Sequence, residues 1–462
     1  MRSFRWLALA LAAVGLLVFA SAAAANHDQR DIFNLRALGH SPNPASFLNE
    51  PPGPAPAEVN SDLAFWGNYA FNGNYDGFRI IDISDRRNPV EISHTRCQGN
   101  QGDIVVWGNI LVRSWNSPAP AADPVGGFPL ADCDGVEVPA GWEGVHVFDI
   151  SNKEDPQLVG SVELACGSHT ATAVPDVEND RLLVYSQTSG GPCFSFDVIE
   201  VPLGDPRQAH LLRQVPLETD GACHDSGVIL GEVNLMACAS HHEANVYDIG
   251  ENEFVGPGGV DGSIERPRFM YKIMEPGVGD DPMHPGNWHS AAFTWDGKVL
   301  ILGWEPGGGS DPECEATDPI TTKSAFFYDA KTGEKLGQWT LPRPQTAEEN
   351  CTIHNYNVVP IRNRYILAGG HYQAGTWLTD FTDPSDPFAI AWADPEPLVP
   401  TQLGGAWSSY WYNRTIYESS ITEGLNVFRL RERGIRRRSL RLDHLNPQTQ
   451  EFSLPSRRSD GT

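Results

Sequence analysis

A short pair of apolar runs returns seven times along the chain, and in four consecutive returns a histidine opens it at the same point. His169, His224, His289 and His354 begin the runs SHTATAVPD, CHDSGVILG, WHSAAFTWDG and IHNYNVVPI, each followed by a turn and a second run: RLLVYS, VNLMACA, KVLILGW and RYILAGG. The same frame gives three more units: SDLAFWGN with YAFNG, GDIVVWGN with ILVRSW, and SSYWYNR with TIYESS. The column then reads Asn60, Gln101, His169, His224, His289, His354, Trp407, at steps of 41 to 68 residues. With 14 histidines in 462 residues, chance fills four of seven such positions only on the order of once in thousands of chains, even after the choice of frame is discounted.

A third run follows each pair, as in GFRIIDIS, GVHVFDIS and NVYDIG, and usually a weaker fourth, as in PVEISH and KLGQWTL. Two-residue alternation, β-branched and aromatic residues, and Gly/Asn/Asp turns make these strands. The expected fold is all-β, a seven-bladed β-propeller of four-stranded antiparallel blades. The last unit lacks an outer strand after GLNVFRL, and residues 31–39 (DIFNLRALG) are expected to supply it and close the ring. The first strand of a blade is innermost, so the histidine column is expected at one mouth of the central channel. The aspartates of IIDIS, VFDIS, VYDIG and FYDAK are expected to cap the turn into the fourth strand.

Residues 1–25 read as a signal peptide: Arg2 and Arg5, an apolar stretch over residues 6–20, then SAAAA. The propeller is expected over 26–430, and 431–462 as a basic tail, flexible in the simplest reading and a docked helical segment in the sharper one. Net charge is −26. The leader and the Arg-rich tail are both basic, so the body between them is more acidic still, which argues against nucleic acid as a partner. No run after the leader approaches the ~20 apolar residues of a membrane span. The expected location is secreted, periplasmic or extracellular. Eight cysteines in an exported chain suggest four disulfides. Spacing alone leaves their connectivity open; the simplest pairing is sequential, Cys97–Cys133, Cys166–Cys193, Cys223–Cys238 and Cys314–Cys351.

Four imidazoles converging from adjacent blades suit a transition metal, with His169, His224, His289 and His354 as its ligands. Fe or Cu fits best, and Zn or Mn are alternatives. Further polar groups follow the second strands: His241, His242 and Glu243 in unit four, Glu305 in unit five, His371 in unit six and Glu418 in unit seven. Any of them would serve as an acceptor orienting an imidazole or as a base for a bound substrate. Asp225 directly follows the column, and strand alternation points it away from the channel. There is no GxSxG elbow, GxxxxGK[ST] loop or HExxH helix. Two functions follow as expectations: a metal-dependent oxidase or oxygenase acting on a small molecule, or a non-catalytic propeller that binds a small ligand, a peptide or a protein partner at the same mouth.

The segments IIDISDRRNP, VFDISNKEDP and LTDFTDPSDP, with NSDLAFWGNYAFNGNYDGFRIIDIS, resemble the LVIVD-repeat family of exported β-propeller proteins. The resemblance spans about residues 55 to 430 and implies the fold, with no single activity. By architecture alone the chain is also similar to the four-histidine propeller oxygenases that cleave carotenoids, and to the selenium-binding/methanethiol-oxidase proteins. Both likenesses imply chemistry at a propeller mouth.

Overall fold

The computed structural model describes residues 30–43, 59–122, 130–188, 193–218, 221–250, 262–279, 286–398 and 403–454. The expected signal peptide, residues 1–25, lies outside them. The described chain is all-β apart from short 3-10 turns and one α-helix, Arg433–Arg438. No helix among the described residues is long and apolar enough to cross a membrane.

The repeat units fold as antiparallel meanders in which strands neighbour one another in chain order. Their first strands are Asn60–Trp66, Ile104–Trp107, Thr170–Asp176, Cys223–Ile229, Gly286–Phe293, Asn355–Val358 and Ala406–Tyr412. Units six and seven are merged into one nine-stranded sheet by parallel pairing of their first strands, Asn355 with Ser408 and Tyr356 with Ser409. Unit seven contributes three strands of its own, and its edge strand Gly424–Leu430 pairs antiparallel with Leu35–Pro42 near the chain's start. First strands also pack on first strands: unit one meets units two and seven, unit three meets two and four, and unit five meets four and six.

Alternation explains why the apolar runs look nearly continuous. In unit two, Ile104, Val106, Leu111 and Phe148 pack with unit one, whereas Val105, Val112, Val145 and Val147 pack with unit three. Successive side chains on a strand point to opposite faces, so a sheet sandwiched between two others needs an apolar residue at every position. Burying each such side chain contributes about 1.5–3 kcal/mol. At the third-strand ends, Asp82, Asp149, Asp248, Asp329 and Asp380 each accept a backbone N–H two places beyond the strand, at 2.7–3.0 Å. This is the expected turn cap.

All four sequential disulfides are formed. His146 lies beside Cys97 and Cys133, but their sulfurs bond each other, so the trio is no ligand set. Its ring instead packs 4.3 Å from Trp142 and 5.5 Å from Trp115.

The expectation of a flexible tail from residue 431 is corrected for residues 431–454, which pack against the body. His444 and Leu445 pair with Trp66 and Phe65. The Asn446 side chain donates to Val106 O (2.9 Å) and accepts from Val106 N (2.8 Å), copying a strand partner. Thr449 and Gln450 run parallel to Val228 and Ile229, and Thr449 Oγ1 donates to Ala173 O (2.7 Å). Arginine content suggested solvation, yet the docking is made by backbone ladders, amides and four buried hydrophobic side chains, Ile435, Leu442, Leu445 and Leu454. The segment lies across the far ends of the first strands, opposite the histidine column.

Candidate metal centre

Two of the four column histidines, and Trp407, owe their direction to β-bulges. In unit four Cys223 opposes Ser240 and Asp225 opposes Ala239, leaving His224 as the extra residue. In unit five Trp288 opposes Trp304 and Ser290 opposes Gly303, leaving His289. In unit seven Ala406 opposes Ser420 and Ser408 opposes Ser419, leaving Trp407. A bulge adds one residue to a strand and re-aims its side chain. Neighbouring units are stitched together here: Thr170 Oγ1 donates to His224 O (2.5 Å) and Ser290 Oγ to His354 O (2.9 Å).

The four imidazoles therefore form a row. Ring centroids are 4.4 Å apart for His169 and His224, 4.3 Å for His224 and His289, and 4.3 Å for His289 and His354. All four are buried, between 1% and 6% exposed. His354 Nδ1 donates to Trp407 O, which leaves its Nε2 lone pair free to bind. The Asn116 Nδ2 amide donates to His169 Nδ1 (3.0 Å).

Two carboxylates are set into this row. Asp225 lies 3.4 Å from His224 Nδ1 and 3.8 Å from His289 Nδ1. Glu305 lies 3.7 Å from His289 Nε2 and 3.6 Å from His354 Nε2. The prediction that Asp225 points away is thus overturned, because the bulge at His224 breaks the alternation on which it rested. His224 Nδ1, His289 Nδ1 and Asp225 Oδ1 are buried without a hydrogen-bond partner. Tyr372 Oη donates to Glu305 Oε1 (2.7 Å), and the Tyr372 ring lies 4.4 Å from His354. Gly309 (φ +74°) packs so closely over this pair that a Cβ there would stand 2.3 Å from Tyr372 Oη and 2.5 Å from Glu305 Oε1.

Burial governs the charges. It pushes His224 down to about 4 and His354 to about 3, and holds His169 and His289 well below the usual range. It raises Asp225 to about 7 and Glu305 to about 8. The imidazoles are therefore neutral, and ionised carboxylates here would call for a cation. A cavity of about 10 Å³, room for one water-sized body, lies between the first strands; its lining includes His169, His289, Asp62, Asp103, Asp225 and Trp407.

The other predicted residues are placed differently. The His241 and His242 rings pack on each other at 3.8 Å, and Glu243 pairs with Lys272 at 2.5 Å. Glu418 accepts from Thr376 (2.5 Å) and Asn426 (2.8 Å). His371 packs toward Trp339 at 5.7 Å. Sequence reasoning chose His371 and missed its neighbour: the backbone at Tyr372 is left-handed (φ 49°), and it is the tyrosine that reaches Glu305. Asn116, Asp62 and Tyr410, whose hydroxyl donates to Asp62 Oδ2 (2.8 Å), were also missed.

Fold and site together define an all-β repeat protein with a buried histidine–carboxylate cluster where its first strands meet. Residues 60–95 and 138–163 match the LVIVD repeat, so the chain carries LVIVD repeats in its first two units. No curated protein matches it. Among solved structures, the crystal structure of BamB from Moraxella catarrhalis is similar with a TM-score of 0.41 and 11% identity, over 79% of this chain and 80% of that one; a likeness at that level assigns nothing to the site.

Proposed function

We propose that this is an exported, seven-bladed propeller, closed by its N-terminal strand over 26–430, whose histidine mouth holds a transition metal and oxidises or oxygenates a small molecule. The blade count is supported by the seven meanders, and closure by the contacts of unit one with unit seven and by the Leu35–Pro42 strand. Four disulfides and the leader-like N-terminus support export.

The observation that carries the metal reading is the spacing of donors. The nitrogen–carboxylate distances of 3.4–3.8 Å are too long for hydrogen bonds. Metal bonds of about 2.0–2.2 Å at a tetrahedral angle put two ligands roughly 3.4 Å apart. Imidazole with carboxylate suits Fe or Cu, with Zn and Mn as alternatives, and such an ion supplies redox or Lewis-acid chemistry when bound. The chain's own part is to keep the imidazoles neutral, to fix the His354 tautomer through Trp407, and to exclude water by burial.

The test is oxygen uptake by Fe- or Cu-loaded protein offered a panel of small thiols, phenols and alkenes. Uptake that falls at least about 100-fold in His354→Ala supports the oxidase reading. A loaded protein that consumes no oxygen with any of them favours the second reading, a non-catalytic propeller binding a ligand or protein partner. The near-complete burial of the imidazoles, which restricts substrate access, speaks for that alternative.

A further inference from the structure

The candidate ligands divide into two groups that share one ring. His224, Asp225 and His289 offer donor atoms all within 4.8 Å of one another, and so do His289, Glu305 and His354. His289 turns Nδ1 toward Asp225 and Nε2 toward Glu305. His169, the fourth ligand expected from the repeat, belongs to neither group.

We propose that the mouth is a two-ion centre in which the His289 imidazole bridges the metals. One ion sits on His224, Asp225 and His289 Nδ1, and the other on His289 Nε2, Glu305 and His354. This extends the metal reading above and rests on it. The lone pairs of one imidazole diverge across the ring, so a single ion takes only one of them. An ion on the Glu305 side alone leaves His224 Nδ1, His289 Nδ1 and Asp225 Oδ1 buried and unpartnered, an arrangement native proteins rarely keep. Charge points the same way. Asp62, Asp103 and Asp225 line one cavity, and Glu305 is buried beside the same histidines. Two divalent ions bring +4 against the −5 of four carboxylates and a deprotonated bridging ring, whereas one ion brings only +2 against the −4 of the carboxylates alone. As the second ion binds, the His289 ring gives up its remaining N–H proton to solvent; no electron moves. His169, held by Asn116, then flanks the centre without ligating it.

The experiment uses the full-length protein loaded with Cu(II) alone and desalted, with metal per chain read by mass spectrometry and spin by electron paramagnetic resonance. The expected wild-type result is two copper ions per chain, with a spin intensity well below two because the bridge couples them. Asp225→Asn and Glu305→Gln, checked for folding by circular dichroism, should each retain one ion with a full single-spin signal. One ion per wild-type chain, or two ions that integrate to two isolated spins, overturns the bridge while leaving a metal centre in place. These wild-type readings decide the matter even where a variant fails to fold. A wild-type chain that binds no copper removes the metal reading, and the bridge with it.

Discussion

Ending the chain at Leu430 is expected to cost this protein most of its stability, although the removed piece looks in sequence like a solvated basic tail. Four buried hydrophobic side chains leave with it: Ile435, Leu442, Leu445 and Leu454. At about 1.5–3 kcal/mol each they represent roughly 6–12 kcal/mol of gross burial, against a typical net stability of about 5–15 kcal/mol. The loss also orphans Val106 N and O, which bond the Asn446 side chain, at about 1–3 kcal/mol for each buried group. Asp62 loses the Gln448 amide that donates to it at 2.7 Å. One segment therefore ties together the first strands of units one to four, and its Leu454 N reaches Trp295 O in unit five. Allowing for chain entropy recovered on deletion, we expect a net loss of at least about 5 kcal/mol and a fall in Tm of roughly 5 °C or more. Thermal and urea melts of the truncated and full-length chains provide the check, with a chain ended at Leu454 as the control. A truncated protein melting within 2 °C or so of the full chain would show that the segment's packing is incidental.

The second large effect is expected on removing the proposed metal. An ion bound by the folded chain and not by the unfolded one stabilises by about 4 kcal/mol when its free concentration is 1,000 times its dissociation constant. The cluster gathers its ligands from units four, five and six (His224 and Asp225, His289 and Glu305, His354), residues the unfolded chain holds far apart. Dialysis against a strong chelator is therefore expected to lower Tm by several degrees, and returning Fe or Cu should restore it. His289→Ala, which removes the residue common to both ligand groups, should melt at one temperature with or without metal. A wild-type Tm indifferent to chelator and to added ions would contradict the expectation.

Much of this was legible in the chain itself. The strands and their order follow from alternation, because each sheet faces a neighbour on both sides and so needs apolar residues at consecutive positions, as Val105 and Val106 show. The sequential disulfide pairing was the simplest of those the sequence left open, and it is the one the structure forms. The histidine row was visible as a column. Other features depend on backbone geometry that periodicity does not encode. Asp225 turns inward because a bulge at His224 interrupts the two-residue period. Tyr372 enters the site through a left-handed residue that carries no glycine signal. The tail docks through Asn446, Thr449 and Gln450, polar residues whose partners are backbone atoms of strands far away in sequence, so no hydrophobic pattern announces it.

The central claim is a metal held by the histidine–carboxylate cluster. Its most direct test is metal content by mass spectrometry on protein exported to an oxidising compartment, beside a His224→Ala/His289→Ala double variant. Near-stoichiometric or higher Fe or Cu is expected in the wild type, and its loss in the variant. A wild-type protein that retains no metal, even after reconstitution with Fe, Cu, Zn and Mn, would contradict it and leave the binding-propeller reading in its place.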